Sequence, residues 1–233
     1  MTGGMRLLGT SWDTTWGVLA RAVARGLARK AKRVPARIGV DEKAIGKGHT
    51  YESLVVDLDR GTVEYVVDDR TQASLERYYR QFTPEELQAI EAIALDMWDP
   101  YIAATKACVP DADRKIVFDR YHATTQVTKA VDKVRRREHK ALAQTGDLRL
   151  QGTRYLWLWN EENVPPWRRE EFAAVKHAEL KTSRAWAIKE ALRPFWNYVY
   201  PKWAAKYFKA WYFWATHSRL EPIIEAAKTL QRH

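Results

Sequence analysis

The sequence predicts a mixed α/β sheet in the first half of the chain and an all-helical, tryptophan-rich body in the second. Three observations predict it. Short apolar or period-two runs recur between residues 36 and 124 with helical stretches between them; the strand signal stops after Thr124; and eight of the 11 Trp residues fall between 157 and 214. At 233 residues and 46% hydrophobic, the chain can form one sizeable core, or one core carrying a large insertion.

The elements follow in order. Ser11 or Asp13 can cap a helix through "TTWGVLARAVARGLARKAKR", with Trp16, Leu19, Val23 and Leu27 on one face and Arg21, Arg25 and Arg29 among the cations crowding the rest, before Pro35 ends it. That basic face is either solvated or a DNA contact. "RIGVD", "ESLVVDLD" and "TVEYVVDD" read as a three-strand meander, the last two joined at Arg60-Gly61. "TQASLERYYRQF" and "PEELQAIEAI" are helical, the second starting at Thr83-Pro84 with Glu85-Glu86 in its first turn. "AIALDMW" is a fourth strand, "PYIAATKACV" a helix and "KIVFDRYH" a fifth strand. Beyond Thr124, "TTQVTKAVDKVRRREHKALAQ" is helical and carries the run Arg135, Arg136, Arg137, expected with Arg21, Arg25 and Arg29 to supply phosphate contacts to DNA. Trp196, Tyr200, Trp203, Tyr207, Trp211 and Trp214 step by three or four, a stripe that packs into a core or stacks on bases, and Pro201 predicts a kink within it.

Composition narrows the functional classes. A net charge of +10 favours a polyanionic partner, with nucleic acid foremost. The single Cys108 excludes an intramolecular disulfide framework and a cysteine-based zinc site, and suits a reducing cytoplasm. No uncharged apolar run approaches the roughly 20 residues that span a bilayer, so no membrane partner is expected.

The stretch "IGVDEKAIGKGHTY" sets Asp41 at the end of an apolar strand, ahead of a Lys/Gly-rich turn, and "AIALD" sets Asp96 at the end of its strand in the same way. A charge so placed is a satisfied structural group or a ligand for a cation, since burying it unpaired is costly. Two carboxylates at strand ends of one sheet can converge on divalent metal ions about 4 Å apart, as metal-assisted phosphodiester cleavage requires.

"GVDEKAIGKGHTY", "ALDMW" and "VFDRYH", followed by "YLWLWNEENV" and "RLEP", resemble in order and wording the DDE transposases of the ISL-three insertion-sequence family, from about Ser11 to the last residue. The resemblance implies a ribonuclease-H-like mixed sheet with a large all-helical insertion. It divides the chain into 1–34, a remnant of a helix-turn-helix DNA-binding region; 35–124, the catalytic core; and 125–233, the insertion. It implies that Asp41 and Asp96 are the first two metal-binding catalytic carboxylates, for two Mg or Mn ions, acting on the DNA of element ends and target as a homo-oligomer when complete. "DRYH" resembles the D-x-x-H signature of related transposases, so Asp119 and His122 are accessory residues at the end of the fifth strand; for His122 a structural hydrogen bond and a contact with the scissile phosphate both stand open. The family's third carboxylate, a Glu on a helix after the insertion, is expected to lie beyond His233, and neither Glu221 nor Glu225 matches its motif. On that expectation the chain is a transposase catalytic region cut at both ends, an inactive or incomplete fragment that does not transpose by itself; the two alternatives are a DNA-binding remnant without catalysis and a ribonuclease-H-like nuclease.

Overall fold

In a computed structural model, which describes residues 2–46 and 50–233, the chain divides into two units, Met1–Pro35 and Ala36–His233. The first holds α1 (Thr2–Leu8) and α2 (Trp12–Arg29). Ser11 is the cap of α2, its hydroxyl accepting the Thr14 N–H. The helix stops short of the expected Arg33, because Lys30 turns to extended backbone where a run of like charges meets Pro35. The apolar face predicted on α2 exists, but none of its residues is buried.

The second unit opens with the meander β1 (Arg37–Gly46), β2 (Thr50–Asp57) and β3 (Thr62–Asp68). Gly61, at φ +65°, supplies the left-handed turn residue between β2 and β3; the Lys/Gly-rich turn at 47–49 lies outside the described residues. Helices α3 (Gln72–Tyr79) and α4 (Pro84–Gln88) lead to β4 (Ala92–Leu95), and α5 (Asp99–Cys108) and α6 (Ala112–Lys115) lead to β5 (Ile116–Phe118). Thr83 and Glu86 close a reciprocal capping box on α4. That helix is half its predicted length, because Ala92 and Ile93 are taken by the sheet, paired with Arg37 and Ile38. The strand order is β3-β2-β1-β4-β5, with β1–β4 and β4–β5 parallel and the rest antiparallel, the ribonuclease-H-like mixed sheet. Strand alternation buries Ile38, Val40, Ile93 and Leu95. Tyr101 of α5 is hydrogen-bonded to Ser53 of β2 at 2.7 Å, and Tyr79 of α3 to Thr105 of α5 at 3.1 Å.

The fifth strand is shorter than predicted. It ends at Phe118, and α7 (Arg120–Ala143) begins at once, with Asp119 as its cap accepting the Tyr121 N–H at 2.7 Å. His122 is therefore on the first turn of a helix rather than at a strand end, and the expected boundary at residue 124 falls inside that helix. The body continues with α8 (Arg154–Leu158), α9 (Arg169–Lys176), α10 (Lys181–Leu192), α11 (Pro201–Thr216) and α12 (Glu221–Arg232). Its core is built on Trp157, Trp186 and Trp211. Each indole N–H has a partner: Thr153 Oγ1 at 3.1 Å, the Trp159 carbonyl at 3.3 Å and the Ile188 carbonyl at 2.8 Å respectively. Phe172 stands edge-on to both Trp157 and Trp186, with centroids 5.4 and 5.1 Å away.

The aromatic stripe is only partly core. Pro201 opens α11 in its first turn rather than kinking a longer helix, and Trp196 lies upstream in a 3-10 segment, Arg193–Asn197. Within α11, Trp211 is 4% exposed and Trp203 54%. Steps of three and four drift around a helix, so the buried line passes through Trp211 and Ala215 and leaves Trp203 and Trp214 outside it.

The basic run on α7 also divides. Arg135 was expected to face DNA; instead its side chain is buried, with Nε 3.0 Å and Nη2 2.9 Å from Asp132 Oδ1. Helical spacing turns position 135 onto the face of Val127, Val131 and Val134, where a guanidinium is tolerable only with its carboxylate. Arg136 reaches the same Asp132 at 3.3 Å and Arg137 reaches Glu221 of α12 at 3.0 Å, both from exposed positions.

Two stability predictions follow from this packing. Trp157→Ala should cost about 3–5 kcal/mol, while Trp203→Ala should stay below about 1 kcal/mol, both read from denaturant midpoints. Asp132→Ala, which strands the buried Arg135 guanidinium, should cost about 3–5 kcal/mol, and Arg137→Ala, at an exposed pair, less than about 1 kcal/mol.

Candidate active site

The sheet register builds the site. Val40 pairs with Leu95, and Leu95 with Phe118, so the last paired row of the three parallel strands runs β1, β4, β5. The next residue on each is an aspartate: Asp41, Asp96 and Asp119. Alternation sends Ile38, Val40, Ile93 and Leu95 into the core, and leaves Gly39, Asp41, Ala94 and Asp96 at the opposite parity, lining a cavity of about 920 Å³. Ala94 is small, and Leu58 packs over Gly39 on the same side of the sheet.

Asp119 and His122 line the same cavity. The His122 ring stands between two carboxylates, with Nδ1 3.3 Å from Asp96 Oδ1 and Nε2 3.9 Å from Asp119 Oδ2. Asp119 is further held by its own N–H, which donates to the Leu95 carbonyl at 3.1 Å. Asp41 Oδ1 accepts the Glu42 N–H at 2.8 Å. The Tyr101 hydroxyl, on the other side of the sheet, has its pKa raised, first by burial and further by the negative charges of Glu42 and Asp41, against the lowering effect of its bond to Ser53.

The far wall comes from the helical body and was not anticipated from sequence: Leu192, Phe195, Trp196, Phe208, Leu230 and His233. The Arg120 guanidinium lies over the Trp196 ring at 5.2 Å, and Phe118 meets His233 edge-on at 5.1 Å. Burial lowers the His233 pKa, opposed by Asp99 and Asp96. Only the placement of Trp196 in the aromatic stripe hinted at this wall, and stripe spacing does not say which ring ends at a cavity. Glu221 and Glu225 do not line the cavity, and Glu221 is engaged by Arg137. Arg21, Arg25 and Arg29 are exposed on α2, in the other unit.

The donor set is one of hard oxygens, which suits Mg²⁺ or Mn²⁺. Among the described residues no three His, Cys, Asp or Glu side chains converge closely enough to hold an ion by themselves. Mg²⁺ is commonly held by one or two carboxylates completed by water and substrate phosphates, and Asp41 and Asp96 fit that pattern. Among the described residues no helix is long and apolar enough to cross a membrane.

Comparison with known proteins identifies the family. The transposase family pattern of the ISL3 type matches residues 38–233. The transposase for insertion sequence element IS1001 of Bordetella parapertussis is 27% identical over 197 residues, covering 83% of this chain and 48% of that protein. The transposase for insertion sequence element IS1557 of Mycobacterium tuberculosis is 27% identical over an alignment of 248, covering 94% of this chain and 55% of that protein. The chain thus spans about half the length of the curated relatives it matches. With the family pattern running from the second residue of β1 to the end of the chain, and its sheet of the ribonuclease-H-like order, the protein belongs to the ISL3-type family of DDE transposases.

Proposed function

We propose that this chain carries two of the three catalytic carboxylates of an insertion-sequence transposase whose complete form cleaves DNA at element ends and joins it to target DNA in the cytoplasm as a homo-oligomer. One observation carries the proposal: Asp41 and Asp96 follow paired residues on adjacent parallel strands and face one cavity, in a chain of net charge +10. Asp41 and Asp96 would hold the divalent ions. A bound ion of this kind stabilises charge on the phosphoryl oxygens and makes a water or hydroxyl a better nucleophile at neutral pH. His122, with Nδ1 3.3 Å from Asp96 Oδ1, would steady that carboxylate when the nitrogen carries a proton. Asp119 fixes the first turn of α7, and with it His122, by accepting the Tyr121 N–H. Arg21, Arg25, Arg29, Arg136 and Arg137 are exposed cations suited to phosphate contacts, which give affinity without base selection.

The test is nicking and joining of labelled duplex DNA bearing insertion-sequence ends, in Mg²⁺ or Mn²⁺. Any metal-dependent nicking should fall about a hundredfold or more in Asp41→Asn and in Asp96→Asn, with duplex affinity intact. DNA binding with no metal-dependent nicking in the wild type would favour the non-catalytic reading, and nicking without joining would favour a nuclease. Affinity for duplex DNA should fall by at least about tenfold between 50 and 200 mM salt; a flat response would remove the phosphate contacts from the account.

A further inference from the structure

The β1–β4 ladder ends at Val40 and Leu95, one residue before the two carboxylates. Beyond that row the strands part: β1 continues against β2 as far as Gly46, whereas β4 ends and the chain turns into α5. The spacing of Asp41 and Asp96 is therefore not set by ladder hydrogen bonds at their own positions, and another tie must set it.

Arg70, in the segment after β3, spans that gap. Its Nη1 is 3.1 Å from Glu42 Oε1, and Glu42 is the residue whose N–H holds Asp41 Oδ1. Its carbonyl accepts the indole N–H of Trp98 at 3.1 Å, two residues beyond Asp96. Its guanidinium lies 4.1 Å from the centre of the Tyr51 ring and 4.8 Å from that of Trp98. The backbone beneath it is fixed in turn. Asp69 has φ +82°, an uncommon conformation for a residue with a side chain; its N–H donates to the Tyr51 carbonyl at 2.8 Å and its carbonyl accepts Ser53 Oγ at 2.5 Å. A half-exposed ion pair contributes little alone. A planar cation that meets two rings and a carboxylate is a different object, because its orientation is fixed and lysine cannot reproduce it.

We infer that Arg70 is a positioning residue that sets the separation of Asp41 and Asp96 by clamping Glu42 and Trp98 to one another. The inference rests on the reading that these two aspartates hold divalent metal. Residues one step removed from metal ligands commonly change metal affinity by about 10–100-fold when mutated.

The experiment is a Mn²⁺ titration of the full chain in the presence of duplex DNA, with free ion followed by electron paramagnetic resonance and thermal unfolding recorded for each variant. Beyond the Mn²⁺ taken up by the same duplex without protein, wild type should bind the ion and Asp41→Asn should not. Arg70→Ala and Glu42→Gln should each weaken Mn²⁺ binding by about tenfold or more, and the double variant should be no weaker than the weaker single one. Arg70→Lys should recover only part of the loss, and it replaces Arg70→Ala if that variant does not fold. Mn²⁺ binding by Arg70→Ala equal to wild type, with Asp41→Asn still deficient, overturns the clamp and leaves the carboxylate reading intact. Identical binding by wild type and Asp41→Asn overturns both.

Discussion

The parallel pairing of β1 with β4, in the register that sets Val40 beside Leu95, is the constraint on which the rest of the molecule depends. A slip of one residue on either strand would exchange its faces, sending an aspartate into the apolar layer occupied by Val40 and Leu95. Burying an unpaired carboxylate there is far more costly than any gain from the slipped ladder. The same aspartates that make the site therefore also penalise the wrong register. Gly39 lies close under Leu58: a Cβ at that position would stand 3.0 Å from Leu58 Cδ2, so a larger residue there would need the Leu58 side chain to shift.

The helical body solves a different problem, that of packing large indoles without orphaned N–H groups. Trp157, Trp186 and Trp211 each place the ring in the core and the N–H on an acceptor within reach. Charge is handled in the same way. Asp132 gathers Arg135 and Arg136, with Arg154 at 3.8 Å, and buried Lys189 donates to the Trp159 carbonyl at 2.6 Å and lies 3.0 Å from Glu190. Burial lowers the Lys189 pKa and Glu190 opposes that shift. The positive balance of the chain is thus not a uniform coat, since part of it neutralises interior carboxylates.

What was legible in the sequence was periodic. The strands around Ile38, Val55 and Ile93, the capping of α2 and α4, and the aspartates ending two apolar runs all declare themselves within a few residues. What was not legible depends on where an element sits. Arg135 reads as one of three exposed cations until α7 is packed, and Trp203 reads like Trp211 until one side of α11 is covered. β5 could not be separated from the start of α7, because "KIVFDRYH" is apolar enough for a strand and Asp119 serves both as strand end and as helix cap. The place of Asp41 in the row of three aspartates follows from local pattern, but Arg70 draws its partners Glu42, Tyr51 and Trp98 from three segments distant in sequence, and no spacing rule announces such a meeting.

The dual use of Asp119 has a mechanical consequence. As cap of α7 it ties one end of a 24-residue helix to the last row of the sheet, beside Asp96. A helix of that length is about 36 Å long, and its further turns form the spine against which α10 and α12 pack. Such a rod is a lever with its fulcrum at the carboxylates: a tilt of about 5° would displace its far end by roughly 3 Å. Load applied to the helical body would therefore be felt at the first turn of α7, where His122 meets Asp96.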